Sequence, residues 1–321
     1  MLSTNITKIY AFVIFAFLSS LASTACTHSP VKGGRPPSFE EQTSDFQAPS
    51  GLGKIASNEI TESSGLVVSL CQENVLWTHN DSGDGPYIFA MDRTGMHLGT
   101  WKVTNARNLD WEGIATYKDA TGNCLLYIGE IGNSKDGERL EHTIYRFPEP
   151  SLQETDRNTT RENANTTEPS TELRFSYPDR RRNAEVLLVD PKSGSLYIVT
   201  KESSDPAAVY KLNSDLSSQK QIAVKIAEVT VPAVPFGMLT GGDISTDGER
   251  LVLCDYFAGY EFILPSGSDN FDDIWKQKPV VIDIGKRKQG EAVAYSIDGN
   301  SILATSEGRN SPIIEARRKL K

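Results

Sequence analysis

Basic charge and histidine are both scarce in this chain, and each shortage narrows its chemistry. Lys and Arg total 33 against 42 Asp and Glu, a formal net charge of −9 over 321 residues. A nucleic-acid binder gathers a basic face to meet phosphate, so this balance argues against a nucleic-acid partner. An acidic surface instead suits a cation, a cationic partner, or solubility alone. Four cysteines with no CxxC pair argue against thiol redox chemistry and a zinc ribbon. No GxSxG elbow, HExxH helix, P-loop or GxGxxG turn occurs, so serine-elbow hydrolase, zincin and nucleotide-binding readings lose their motifs. Convincing helical periodicity is also missing beyond the first 25 residues.

Those first 25 residues read as an export signal. Lys8 gives a positive start, Ile9 to Ala22 is almost unbroken apolar sequence, and Ser23, Thr24 and Ala25 are small. The apolar stretch is shorter than a membrane span requires. Cys26 follows directly and is the candidate lipid-bearing cysteine, although a bacterial lipobox prefers Leu where Ser23 stands. Lipidation and plain secretion both stay open. Residues 26–50 carry Pro, Gly, Ser and charge without periodicity and are expected to form a disordered tether. The expected location is therefore secreted, periplasmic or lipid-anchored at the cell envelope, with membrane contact only through a lipid on Cys26.

What remains is repetitive. Acidic or polar clusters open five strand patterns, at Glu62-Ser63-Ser64-Gly65, Asp110-Trp111-Glu112-Gly113, Asn183-Ala184-Glu185-Val186, Gly241-Gly242-Asp243-Ile244 and Gly290-Glu291-Ala292-Val293. Return strands end in Asn80-Asp81, Glu130, Lys201-Glu202, Asp255 and Glu307. A repeat of roughly 50 residues is the signature of a propeller or solenoid. The expected fold is all-β: a single propeller over 51–321, with four antiparallel strands per blade. Five blades fit best, or six if a weaker repeat lies between 203 and 240. The last repeat is one strand short, and Gly51 to Ala56 is positioned to close the ring as its outer strand. Closure shelters the blade edges, so a monomer is expected. The insert 151–170, rich in Glu, Asn and Thr, reads as a mobile loop. Cys71 and Cys124 lie near turns of neighbouring repeats and can be bridged if those turns approach.

In a propeller, the start of each inner strand and the end of the next lie at one mouth of the central channel. Asn80, Asp81, Asp110, Glu112, Glu130, Glu185, Lys201, Glu291 and Glu307 all fall at such ends. Carboxylates crowded there repel one another unless something positive joins them. Three answers remain open: ion pairs such as Lys201 with Glu185 or Glu202, a bound metal, or a polar ligand. Calcium is the candidate ion because it takes six to eight oxygen ligands. Asn80 to Gly85 resembles half a calcium loop, but Met91 occupies the place of the closing Glu, which leaves an Asx turn as the competing account. In the fourth repeat, Thr240 stands where the others carry an acid. Arg181, within Arg180-Arg181-Arg182, is a candidate for steering an anionic ligand. His79 is the histidine placed for acid–base work, against the alternative of packing between strands.

At His79 to Asp84, Asp110 to Ala115, Gly129 to Asn133 and Gly290 to Tyr295 the chain resembles uncharacterised exported bacterial propeller proteins, over roughly residues 55–315. More loosely it is similar to calcium-linked propellers: phytase-like and esterase-like domains, gluconolactonase-type lactonases and paraoxonases. In those families acids and amides around the channel hold calcium, which polarises a phosphoryl or carbonyl oxygen. The resemblance implies Glu112, Glu130, Glu185 and Glu291 as metal ligands, although the phytase and lactonase signatures themselves are absent.

Two functional classes follow. One is an exported propeller that binds a polar small molecule or protein at an acidic mouth, with Asn80, Asp81, Asp110, Arg181, Lys201 and Glu307 as contacts. The other is a calcium-dependent hydrolase of an ester, lactone or phosphoester, with His79 or Glu112 activating water.

Overall fold

The computed structural model describes residues 45–133, 139–213, 220–232 and 237–319. The expected export segment, Cys26 and the tether up to residue 44 lie outside them. Among the described residues, strands gather into five sheets, each built on a run of antiparallel neighbours. Blade 1 runs outward through Ser63–Val68, Leu76–Asn80, Tyr87–Met91 and His97–Lys102. Blade 2 uses Trp111–Lys118, Cys124–Glu130, His142–Pro148 and Thr171–Ser176, and blade 3 uses Ala184–Val189, Leu196–Glu202, Ala207–Leu212 and Val224–Val229. Blade 4 comprises Gly241–Ile244, Arg250–Cys254, Gly259–Ile263 and Val280–Ile282. Blade 5 comprises Gly290–Tyr295, Ser301–Ser306 and Pro312–Arg317, completed on the outside by Ser50–Lys54.

The chain is thus a five-bladed propeller, and the described strands between 203 and 240 join blades 3 and 2 instead of forming a sixth blade. Its inner strands touch in ring order, with the last returning to the first. Closure comes from Ser50–Lys54 pairing antiparallel with Pro312–Arg317. The described end of the tether is not loose: Phe46 is buried and pairs with Arg318.

Local chemistry explains the hairpins. Asp92 accepts the N–H groups of Thr94 (2.8 Å) and Met96 (3.0 Å), and Asp119 repeats this with Thr121 and Asn123. Each is an Asx-type turn, which lets a side chain satisfy backbone donors that the reversal leaves free. Gly95 adopts φ 91°, a conformation that a Cβ would disfavour. Between blades, apolar faces interlock. Trp77 and Trp101 meet edge-to-face at 5.2 Å, and their cluster continues through Trp111, Ile114 and Leu126 into blade 2. Burial of each such side chain contributes about 1.5–3 kcal/mol.

The insert 151–170 differs from the loop expected from its composition. Glu154–Asn158 forms a 3-10 turn, and Asn165–Thr166 adds a parallel strand to the outer edge of blade 1. Asp156 is buried, accepting from the N–H of Gln153 (2.8 Å) and from Asn165 Nδ2 (2.9 Å). Polar residues build this segment through hydrogen bonds, which a hydropathy pattern does not register. On the side of the ring away from the acidic strand ends, Cys71 and Cys124 form a disulfide that joins blades 1 and 2.

Candidate functional site

The inner strands do not enter the mouth as regular strands. In four blades the register slips by one residue at the same place: between Ser63 and Gly65, Trp111 and Gly113, Ala184 and Val186, and Gly290 and Ala292. The skipped residues are Ser64, Glu112, Glu185 and Glu291. A bulge re-aims the side chain of its extra residue. Here those four residues line one cavity of about 10 Å³ reached by all five inner strands. That is room for about one water or ion. Blade 4 has no bulge: Gly241 pairs regularly with Cys254, and the Thr240 hydroxyl is spent on Gly290 O at 2.9 Å. Asp243 points away, accepting the N–H groups of Ile244 (2.9 Å) and Tyr295 (2.8 Å).

The axial acids crowd around a single lysine. Ser64 Oγ lies 3.2 Å from Glu112 Oε2 and 3.3 Å from Glu291 Oε2. Glu112 lies beside Glu185, and Glu291 beside Glu307. Lys201 Nζ sits 3.1 Å from Glu185 Oε1 and 5.2 Å from the ring centre of Tyr256. Burial, followed by the Glu185 and Asp81 charges, pushes the Glu112 carboxyl well above the ordinary range. Burial likewise raises Glu291, against the pull of Lys201. Burial alone would lower Lys201, but Glu185 and Glu291 outweigh it and hold the ammonium charged.

A second cluster occupies the seam between blades 1 and 2. One carboxylate oxygen from each of Asp81, Asp110 and Glu112 lies within 4.8 Å of the others. Burial, with the Glu185, Asp110 and Glu62 charges adding to it, raises Asp81 to about 6. Gly132 lets these acids pack directly on its backbone: a Cβ there would stand 2.5 Å from Asp110 Oδ2 and 2.8 Å from Glu112 Oε1. Three hard oxygen donors brought this close fit calcium, and soft metals poorly.

The candidates from the sequence therefore divide. Glu112, Glu185 and Glu291 meet on the axis, Asp81 and Asp110 meet Glu112 at the seam, and Lys201 and Glu307 flank the axial acids. Glu130 does not join them. Its two oxygens accept the N–H groups of Leu109 and Asp110, both at 2.8 Å, and Arg139 pairs with the same carboxylate. It braces the loop that enters blade 2, so the ligand role is corrected to a structural one. Asn80 stands at the matching place in blade 1 and does the same work, its Oδ1 accepting from Thr61 N (2.9 Å) and Glu62 N (3.2 Å).

His79 is also reassigned. Its ring is fully buried, edge-on to Trp111, with Nδ1 3.0 Å from Asn80 O, and burial pulls its pKa down to about 4. Packed between blades, it has no access to a substrate at the mouth. Arg180 and Arg182 pair with Glu202 at 3.1 and 2.7 Å, while Arg181 is exposed and makes no ion pair with a described residue. The calcium-loop pattern at Asn80 to Gly85 resolves as local turn bonding: Ser82 N–H donates to Asp81, and Asp84 binds Arg161 and Asn80. Ser64, Gly132 and Tyr256 escaped sequence reasoning. A Gly or small residue flanking each bulged position was the available signal.

No known family model matches the chain, and no curated protein matches it. Among solved structures, a chain from the crystal structure of a nidogen/laminin complex is similar at 14% identity and a TM-score of 0.44, covering 77% of this chain and 73% of that one. The propeller assignment rests on the five sheets themselves. No helix among the described residues is long and apolar enough to cross a membrane.

Proposed function

We propose that this is an exported propeller whose acidic mouth holds a calcium ion at the blade 1–blade 2 seam and binds a polar small molecule or protein there. The observation that carries this reading is the convergence of Asp81, Asp110 and Glu112, packed against Gly132, whose missing Cβ lets the Asp110 and Glu112 carboxylates lie there. When bound, calcium would supply positive charge and open coordination positions to a polar ligand. Asp81, Asp110 and Glu112 would hold it, while Glu130 fixes the backbone from which Asp110 projects. Export is supported by the apolar run from Ile9 to Ala22 after Lys8.

Titration of calcium chloride into the protein, followed by calorimetry, tests the cation. The expected result is one ion per chain, with affinity weakened at least about tenfold in Asp110→Asn. No binding heat, together with no change in melting on chelation, would remove the calcium reading. The same protein assayed against lactone, aryl ester and phosphomonoester substrates tests hydrolysis. Turnover that disappears in Glu112→Gln while the fold persists would replace binding with catalysis.

A further inference from the structure

The insert 151–170 leaves blade 2 and reaches two loops that carry acids to the mouth. Its contact is Arg161. The Arg161 backbone N–H donates to Glu59 Oε1 (2.9 Å) and Oε2 (3.1 Å), and the guanidinium bonds to Asp84. Asp84 Oδ2 accepts from Asn80 Nδ2 at 2.6 Å, and Asn80 Nδ2 also reaches Glu59 O at 2.8 Å. Through Asn80 Oδ1 the same network catches the N–H groups of Thr61 and Glu62. Residues 59–62 and 80–84 are therefore tied into one unit, and Asp81 lies within it. Across the seam, Asn108 Nδ2 of the loop entering blade 2 donates to Asp81 O at 3.0 Å. The Asp81 backbone is thus held from blade 2 by Asn108, while its own loop is clamped from outside by Arg161.

The insert can act as such a clamp because its other end is fixed. Thr159 Oγ1 accepts the N–H of Thr100 at 2.7 Å, and Thr159 O meets His97 Nε2 at 3.0 Å, both on the outer strand of blade 1. The Arg161 side chain itself is 37% exposed, outside the apolar core. An ion pair that open to water adds little to global stability. What it fixes is geometry.

We propose that Arg161 is a positioning residue for the mouth, clamping the Asp81 loop so that its carboxylate meets Asp110 and Glu112. This rests on the calcium reading of the seam. Groups that orient metal ligands from outside change affinity by about 10–100-fold when removed. Calcium chloride titrations of wild type, Arg161→Met and Arg161→Lys test it, alongside melting of each protein in chelator. The expected result is a calcium affinity lowered about tenfold in Arg161→Met, partly restored in Arg161→Lys, with chelated melting temperatures that coincide. Unchanged affinity in Arg161→Met overturns the clamp while leaving the calcium site intact. Affinity and chelated melting that fall together also overturn it, because the role would then be stability alone. A wild type that binds no calcium removes the site itself, a distinct outcome visible before any variant is compared.

Discussion

Raising the pH should destabilise the metal-free propeller, and calcium should reverse this increasingly well. Glu112 and Glu291 are nearly inaccessible to water, and burial raises both carboxyls well above their ordinary range. An unfolded chain has released these protons by about pH 5. The folded state that keeps one binds more protons than the unfolded state, so its stability falls as pH rises. His79 and His142 act in the opposite direction: burial pulls both to about 4, so they add stability as pH rises to about 6.5 and nothing beyond. Asp81, raised to about 6, has largely titrated by that point, whereas buried Asp243, raised to about 7, adds to the fall in the lower half of the window. The clean interval is therefore pH 6.5 to 8.5.

One proton retained only by the folded mouth costs about 1.4 kcal/mol per pH unit. Each pH unit over which that proton is kept lowers the melting point by about 2–5 °C for a domain of this size class. Calcium at a hundredfold excess over its Kd returns about 2.7 kcal/mol. Because it displaces the retained proton, its effect should be larger at pH 8.5 than at 6.5. Scanning calorimetry of chelated and calcium-loaded protein at both pH values measures this, with Glu112→Gln expected to flatten the chelated slope. A chelated melting point that stays level or rises over the interval, with a calcium shift equal at both ends, would refute the proton-retention account.

Four further results are expected. Gly132→Ala should weaken calcium binding in calorimetry, because its Cβ would stand 2.5 Å from Asp110 Oδ2 and 2.8 Å from Glu112 Oε1 and force both carboxylates to shift. Glu130→Ala should lower urea stability by about 2–3 kcal/mol, since it strips charged acceptors from two backbone N–H groups. Removing the disulfide by Cys71→Ser with Cys124→Ser frees a 53-residue separation and should cost about 4 kcal/mol on a chain-entropy basis, read by denaturant melts. Deleting residues 45–54 should expose the edge of Pro312–Arg317 and produce association detectable by light scattering.

Much of this molecule was legible because repetition is a property of sequence. Alternating apolar residues closed by Asp-Gly turns mark the strands, and five such units require a ring whose equivalent ends share one mouth. The closing strand was legible for the same reason: blade 5 lacked an outer partner, and Gly51 to Ala56 stood ready. The sequence could not separate Glu112 from Glu130, two acids at strand ends in the same blade. A one-residue bulge turns the first into the channel, while regular pairing leaves the second to cap Leu109 and Asp110. Nor could it foresee that His79 would be buried against Trp111, or that polar residues in 151–170 would fold across blade 1. Local pattern sets which residues form strands and which face inward. Which carboxylates become neighbours is fixed only when blades 1 and 2 pack, because bulges, glycine contacts and bonds between distant loops exist only once the ring has closed.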